Sequence, residues 1–120
     1  MSTRQEKLKG LLKEEISDIL RRELKDPRLG FVTVTDAEIS PDLSHARVFV
    51  TVMGSQEERE TNMAVLKKAE RFVRRAFGKR VKMKVLPEIE FQFDDSVDRG
   101  IRMFELLEQI RHEVEDEDGA

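Results

Sequence analysis

The sequence of residues 63–84 is MAVLKKAERFVRRAFGKRVKMK, and it carries two opposed helical patterns. At about 100° per residue, its apolar side chains fall on one arc of a helix and its basic side chains fall on the opposite arc. The apolar arc holds Met63, Leu66, Ala69, Phe72, Val73, Ala76 and Phe77. We predict a helical stretch from a capping box at Ser55 to about Phe77, with Gly78 as the glycine that follows a helix end.

Positive charge is concentrated in residues 67–84. Nine of these eighteen residues are basic and only Glu70 is acidic, whereas the whole chain has a net charge of −3. The basic residues are Lys67, Lys68, Arg71, Arg74, Arg75, Lys79, Arg80, Lys82 and Lys84. A basic block on a net-acidic chain indicates a polyanionic partner such as nucleic acid. A face kept only for solubility usually alternates Glu with Lys, and this one does not.

Three further basic residues, Arg22, Lys25 and Arg28, lie at the end of the first predicted helix and in the loop that follows it. We expect them to extend the basic surface. The chain has no Trp or Tyr, and its seven Phe residues mostly have core spacing, so a base-stacking platform is not expected. Affinity would then come from phosphate contacts, depend strongly on salt and favour a folded RNA shape.

The segments before this helix predict a helix and a β-hairpin. Leucines and isoleucines between Leu8 and Leu24 recur at helical spacing, and Asp26-Pro27 ends the helix. Residues 31–39 and 46–52 alternate as strands joined by a five-residue turn. The alternation changes phase near Thr35-Asp36, which indicates a β-bulge.

The segments after this helix predict one strand and one helix. The strand is expected over residues 81–93, with Val81, Met83 and Val85 toward the core and Pro87 at an edge or bulge. The final amphipathic helix would begin at an N-cap Asp98 and present Ile101, Phe104, Leu107, Ile110 and Val114 on one face. The helices and strands are each apolar on one side, so we predict a two-layer α+β domain.

Length and composition limit the class of protein. A chain of 120 residues is predicted to form one domain, which we assign to residues 1–111 including the last helix. Residues 112–120 are strongly acidic, and we expect them to be a disordered tail. There is no Cys, no signal peptide pattern and no run near the roughly 20 apolar residues of a membrane span. We therefore expect a cytoplasmic protein without a membrane partner.

The residues that could support catalysis do not form a convincing set. His45 lies in a turn and His112 in an acidic helix end, and neither neighbours an obvious nucleophile. Asp94, Asp95 and Asp98 form a carboxylate cluster, but their spacing matches no calcium-binding loop. A metal-dependent nuclease that uses these aspartates is the weakest alternative. No phosphate-binding glycine motif is present.

Five short segments resemble the bacterial ribosome-binding factor A family. They are residues 23–30 (ELKDPRLG), 40–50 (SPDLSHARVFV), 78–84 (GKRVKMK), 86–91 (LPEIEF) and 94–96 (DDS). The resemblance covers roughly residues 5–108. It implies a single KH-like domain of type II, with the order helix–strand–strand–helix(–helix)–strand and an added C-terminal helix.

The resemblance also implies a function. Proteins of this family are not enzymes; they bind the free small (30S) ribosomal subunit and support late maturation and 5′-end processing of 16S rRNA. They matter most in the cold, and their release is linked to a ribosome-associated GTPase. We further expect a monomer without a cofactor. The competing interpretation is a protein-interaction module whose basic face binds an acidic protein surface.

One departure from the family affects the basic helix. KH domains hold RNA with a GxxG loop between two helices, and this family often has an Ala-x-Gly kink there instead. The aligned residues here are Ala69-Glu70-Arg71, with Arg71 in place of the glycine. A sharp kink and a gently bent or continuous helix therefore both remain open, and Arg71 would add a phosphate contact.

Overall fold

The computed structural model describes the backbone of residues 3–119 and the side chains of residues 3–96 and 98–114. The helices are α1 (Thr3–Arg22), α2 (Gln56–Lys68), α3 (Glu70–Arg80) and α4 (Ser96–Gly119), and the strands are β1 (Val32–Ile39), β2 (His45–Val52) and β3 (Glu88–Phe93). The order helix–strand–strand–helix–helix–strand–helix confirms the predicted α+β class. None of the helices within the described residues is long and apolar enough to cross a membrane.

The core lies between the sheet and the helices α1, α2 and α3. Leu12, Ile16 and Ile19 form one face of α1 and are completely buried, as the helical spacing predicts. Burial of such a side chain contributes roughly 1.5–3 kcal/mol. From the other elements, the completely buried residues include Val48, Val50, Leu66, Val73, Phe77 and Phe91. The opposite face of the sheet carries exposed side chains such as Thr33 and Arg47, so the domain has two layers.

The sheet has the strand order β1-β2-β3, so β1 and β3 are its edges. β1 pairs with β2 in antiparallel register, and β3 pairs with β2 in parallel register. The register between β1 and β2 shifts between Val34 and Asp36, which confirms the predicted bulge. Thr35, the extra residue at the bulge, donates a hydrogen bond from Oγ1 to Asp94 Oδ2 at 2.6 Å.

The turn between β1 and β2 is organised by Asp42. The hydroxyls of Ser40 and Ser44 each donate a hydrogen bond to Asp42 Oδ1 at 2.7 Å. These bonds, with Ser44 the strongest cause, lower the pKa of Asp42 to about 2. Leu43 beside it adopts a left-handed backbone conformation with φ of 63°. The five-residue turn at residues 40–44 is confirmed.

The loop after α1 is fixed against α2 by a buried amide. Asn62 accepts a hydrogen bond at Oδ1 from the Gly30 amide at 2.7 Å and donates one from Nδ2 to the Glu58 carbonyl, also at 2.7 Å. The predicted capping box is also present, since the Ser55 hydroxyl accepts from the Glu58 amide. These contacts hold the start of α2 beside the loop formed by residues 23–31.

The third strand is shorter than the sequence predicts. β3 begins at Glu88, and residues 81–87 form a loop in which Val85 is 70 % exposed rather than turned to the core. The strand begins at Glu88 because Glu88 pairs with His45, the first residue of β2. Residues before Glu88 therefore have no partner in β2 with which to form strand hydrogen bonds. Lys82 and Lys84 therefore belong to a loop and not to a strand face.

Gly78 does not end a helix. It lies inside α3, which continues to Arg80. A Cβ built at Gly78 would lie 2.5 Å from Leu86 Cδ1, so a larger residue here would displace the end of the Leu86 side chain. The pattern of a glycine followed by two basic residues predicts a helix end, and the tertiary contact with Leu86 gives it a different role.

The last helix also differs from prediction. α4 begins at Ser96, so Asp98 lies in its first turn instead of at the N-cap. Its backbone is helical through Gly119, whereas the sequence predicts a disordered tail from residue 112. The predicted apolar face is present but not buried, since Ile101, Phe104 and Leu107 are each more than half exposed.

Candidate nucleic-acid interface

The basic helical stretch is divided at Ala69, the position that the sequence left open. Ala69 ends α2 and precedes α3 with φ of −88° and ψ of −2°, and its side chain is buried. Its amide is shared between the carbonyls of Val65 and Leu66, each at 3.1 Å. Arg71 in the place of the family glycine is therefore compatible with two separate helices.

Two of the predicted basic residues bind the backbone of the sheet edge and the loop before it. Lys67 Nζ donates to the Phe91 carbonyl at 3.3 Å, while Glu70 accepts from the Phe91 amide at 2.8 Å. Arg74 donates to the carbonyls of Leu86 at 2.8 Å and Pro87 at 3.0 Å. Lys67 and Arg74 therefore hold α2 and α3 against β3 and the 81–87 loop, which is a structural role.

Arg80 is the centre of an ion-pair cluster between α3 and α1. Its guanidinium contacts Asp18 and Glu23 at 2.7 Å and Glu15 at 3.0 Å. The hydrogen bond with Asp18 and the bonds with the other two carboxylates raise the pKa of Arg80. Bonds from Arg80 and then Arg21 lower the pKa of Asp18. Three carboxylates surround this guanidinium, so Arg80 is not available to phosphate as an unpaired cation.

Four basic residues form an exposed ridge along α2 and α3. They are Lys68, Arg71, Arg75 and Lys79, and we call them the α2–α3 ridge. Their spacing of three, four and four residues keeps them on one side of the two helices. Within the described side chains, the structure gives none of the four an ion-pair partner. Among the described side chains, no direct ion pair compensates their charge, which faces solvent as binding to phosphate requires.

Both ends of the ridge continue into loops. Lys82 and Lys84 are exposed in the 81–87 loop that follows α3. At the other end, the charge of Lys68 is one of the causes that lower the pKa of Asp26 in the loop after α1. Lys25 is exposed in that loop.

Arg28 and Arg22, the other two residues predicted to extend the basic surface, each form an ion pair with an aspartate. Arg28 binds Asp26 at 2.8 Å, and this bond is the main reason that the pKa of Asp26 is lowered to about 2. Arg22 lies 2.9 Å from Asp18. Both guanidinium groups are on the surface, where an ion pair is weak and exchangeable. The structure thus pairs Arg28 with Asp26, whose pKa Lys68 also helps to lower, and it links Arg22 to the carboxylate that also binds Arg80.

Phe72, which the sequence pattern assigned to the core, lies within this basic surface. Phe72 is 37 % exposed, one helical turn from Lys68 and from Arg75. Its position at the margin of the apolar arc is the only sequence signal for this exposure. On the other side of the ridge, a groove of about 500 Å³ is lined by Arg71, Arg75, Glu70, Arg74, Glu88 and Ile89.

The candidate catalytic residues are dispersed among different partners. Asp94 binds Thr35, Asp95 pairs with Arg99 at 3.0 Å, and Asp98 pairs with Arg59 at 2.9 Å. The hydrogen bond from Thr35 is the main cause that lowers the pKa of Asp94. His45 contacts the neighbouring Ser44 in the β1–β2 turn. Among the described residues, no group of three or more His, Cys, Asp or Glu could hold a metal ion.

An α+β domain with an uncompensated basic ridge has the features of a binding factor. A family model described as ribosome-binding factor A matches residues 4–107 of the chain. The chain is 51 % identical to ribosome-binding factor A of Halothermothrix orenii over 112 residues, which cover 93 % of this chain and 92 % of that protein. The chain belongs to the ribosome-binding factor A family.

Two structures of related proteins have folds similar to the fold of this chain. The solution structure of a Thermotoga maritima protein, a putative ribosome binding factor A, has a TM-score of 0.68 and 33 % identity, covering 77 % of this chain and 88 % of that chain. A homology model of Thermus thermophilus ribosome binding factor A, fitted into the cryo-EM map of a 30S complex, has a TM-score of 0.63 and 31 % identity. It covers 74 % of this chain and 93 % of that chain.

Proposed function

We propose that this protein binds the free small ribosomal subunit by placing the α2–α3 ridge on the phosphates of 16S rRNA. The observation that carries the proposal is the set of four exposed, uncompensated cations at Lys68, Arg71, Arg75 and Lys79 in a chain with a net charge of −3. Family membership supports the choice of ribosome over other polyanions, since a relative is fitted into a 30S complex.

The arrangement of charge supports binding in one orientation. The ridge and the adjoining lysines at 25, 82 and 84 attract phosphate, whereas residues 85–120 contain twelve acidic and three basic residues. A polyanion would attract the first region and repel the second. Backbone contacts of this kind fix position on a folded RNA and carry little sequence information, so recognition would depend on rRNA shape.

In this function the protein is a non-catalytic, cytoplasmic assembly factor. It would act as a KH-like domain that supports late maturation of the subunit and 5′-end processing of 16S rRNA, with its greatest importance in the cold. A monomer suits this role, and release would be linked to a ribosome-associated GTPase. These roles are proposed for this chain on the basis of the family resemblance.

Co-sedimentation with isolated ribosomal particles across a salt series tests the proposal. We expect binding to small subunits that survives moderate salt, with weaker binding to large subunits and assembled ribosomes. Because phosphate contacts release counterions, affinity should still fall steadily as salt increases. Equal binding to all particles, lost at moderate salt, would show a general polyanion surface and contradict the proposed function.

A further inference from the structure

α4 presents an apolar stripe that the rest of the domain leaves uncovered. At about 100° per residue, the stripe falls within one arc of the helix. It consists of Met103, Leu106, Leu107, Ile110 and Val114, which are between 46 % and 57 % exposed. An isolated helix in water is marginal without tertiary packing of its apolar face. The stripe therefore requires a partner surface.

Within the described side chains, an ion pair in the first turn of α4 joins this helix to the rest of the domain. Asp98 in the first turn pairs with Arg59 of α2 at 2.9 Å, and the same guanidinium lies 5.0 Å from the centre of the Phe93 ring. From Ile101 to Val114, the large apolar side chains are all about half exposed. Beyond its first turn, α4 therefore exposes large apolar side chains to solvent.

The charge of α4 determines the chemistry of this partner. Residues 105–119 contain seven acidic residues and one basic residue. Phosphate repels such a segment, so rRNA does not suit it, and the stripe needs apolar groups opposite it. A polypeptide segment that combines basic residues with an apolar face satisfies both requirements.

We propose that α4 binds a basic protein segment on the small subunit, next to the rRNA that the α2–α3 ridge contacts. This inference rests on the proposed function. Together, the ridge and α4 give the chain two surfaces of opposite chemistry, one for RNA phosphate and one for protein. Each surface would contact a different component of the same particle.

The size of the stripe favours a partner on that particle over a second copy of the chain. Five half-exposed side chains are far fewer than the roughly 20–30 residues a side of a standard stable interface, which buries about 800 Å² per partner. Two copies would also bring their acidic halves into one assembly. Once the ridge has bound rRNA, however, a neighbouring protein is held at high effective concentration, so a small contact suffices.

The first test removes the stripe without weakening the helix. Leu107→Ala with Ile110→Ala deletes apolar area and retains high helix propensity. We expect about tenfold weaker binding to small subunits and unchanged binding to protein-free 16S rRNA. The matched control is Gln109→Ala with His112→Ala on the opposite, exposed face, which should leave both affinities unchanged. Unchanged subunit binding by the stripe variant, or an equal loss on protein-free RNA, would overturn the proposal.

The second test identifies what covers the stripe. The chain has no Cys, so Leu106→Cys provides a single site for a benzophenone photo-cross-linker, with Glu105→Cys as the polar-face control. On small subunits, we expect a covalent product with a basic ribosomal protein from residue 106 and less from residue 105. A product with 16S rRNA or with a second copy of the chain would overturn the proposal.

Co-sedimentation distinguishes failure of the proposed function from failure of the α4 inference. If the proposed function is wrong, the unsubstituted chain will show no preference for small subunits in co-sedimentation. If only the α4 inference is wrong, the unsubstituted chain will prefer small subunits and the alanine pair will bind them equally well.

Discussion

Charge reversal at Arg71 and Arg75 together is expected to weaken binding to a protein-free 16S rRNA fragment by about 100-fold near physiological salt. Both side chains are exposed on the α2–α3 ridge without an ion-pair partner among the described side chains. Each reversal removes one phosphate contact and adds a repulsive carboxylate. The slope of log affinity against log salt should therefore become shallower by about 2, as titrations at several salt concentrations would show.

The control for this variant has the same change in charge at another place. Arg99→Glu with Arg102→Glu alters two exposed arginines of α4 and should leave affinity for protein-free RNA nearly unchanged. Circular dichroism would establish that both variants remain folded. Equal losses in the two variants would mean that only net charge matters, and the assignment of the ridge would be wrong.

Replacement of Arg74 by Ala is expected to lower the free energy of unfolding by about 2 kcal/mol, because hydrogen bonds from a charged group to two backbone carbonyls are lost. Arg74 is half-buried and holds Leu86 and Pro87 beside α3. A simple helical projection would assign it to the RNA-binding face. Urea denaturation, compared with the unsubstituted protein, measures the effect.

The neighbouring arginine provides the comparison. Arg75→Ala removes an exposed side chain, so its free energy of unfolding should change by less than about 0.5 kcal/mol, while its affinity for RNA decreases. The two adjacent substitutions should thus separate stability from binding. If Arg74→Ala weakened RNA binding without loss of stability, the structural role assigned to Arg74 would be incorrect.

Local patterns predicted most of the fold. The periodicity of α1, the capping box at Ser55 and the phase change at Thr35 each depend on residues close in sequence, and the structure confirms all three. The start of β3 depended instead on where β2 ends. Residues 81–87 keep a strand-like alternation but have no ladder partner, so the sequence pattern alone overestimated the strand.

The candidate site was predictable in position but not in composition. Charge clustering located the basic surface, and Arg75 and Arg80 have equal weight in that pattern. Only the fold brings Glu15, Asp18 and Glu23 to Arg80 while leaving Arg75 exposed. Those partners are between 57 and 65 residues away in sequence, so no local pattern distinguishes a structural cation from one available to RNA.

Directed hydroxyl-radical cleavage would show whether the α2–α3 ridge faces 16S rRNA on the small subunit. Ala64 is exposed one helical turn before Lys68, and Thr33 is exposed on the outer face of the sheet. Because the chain has no Cys, Ala64→Cys and Thr33→Cys each accept a single Fe(II)–EDTA probe. On small subunits, we predict cleavage of 16S rRNA from position 64 and little from position 33. Stronger cleavage from position 33 would place the opposite face of the domain on the rRNA and contradict the proposed role of the ridge.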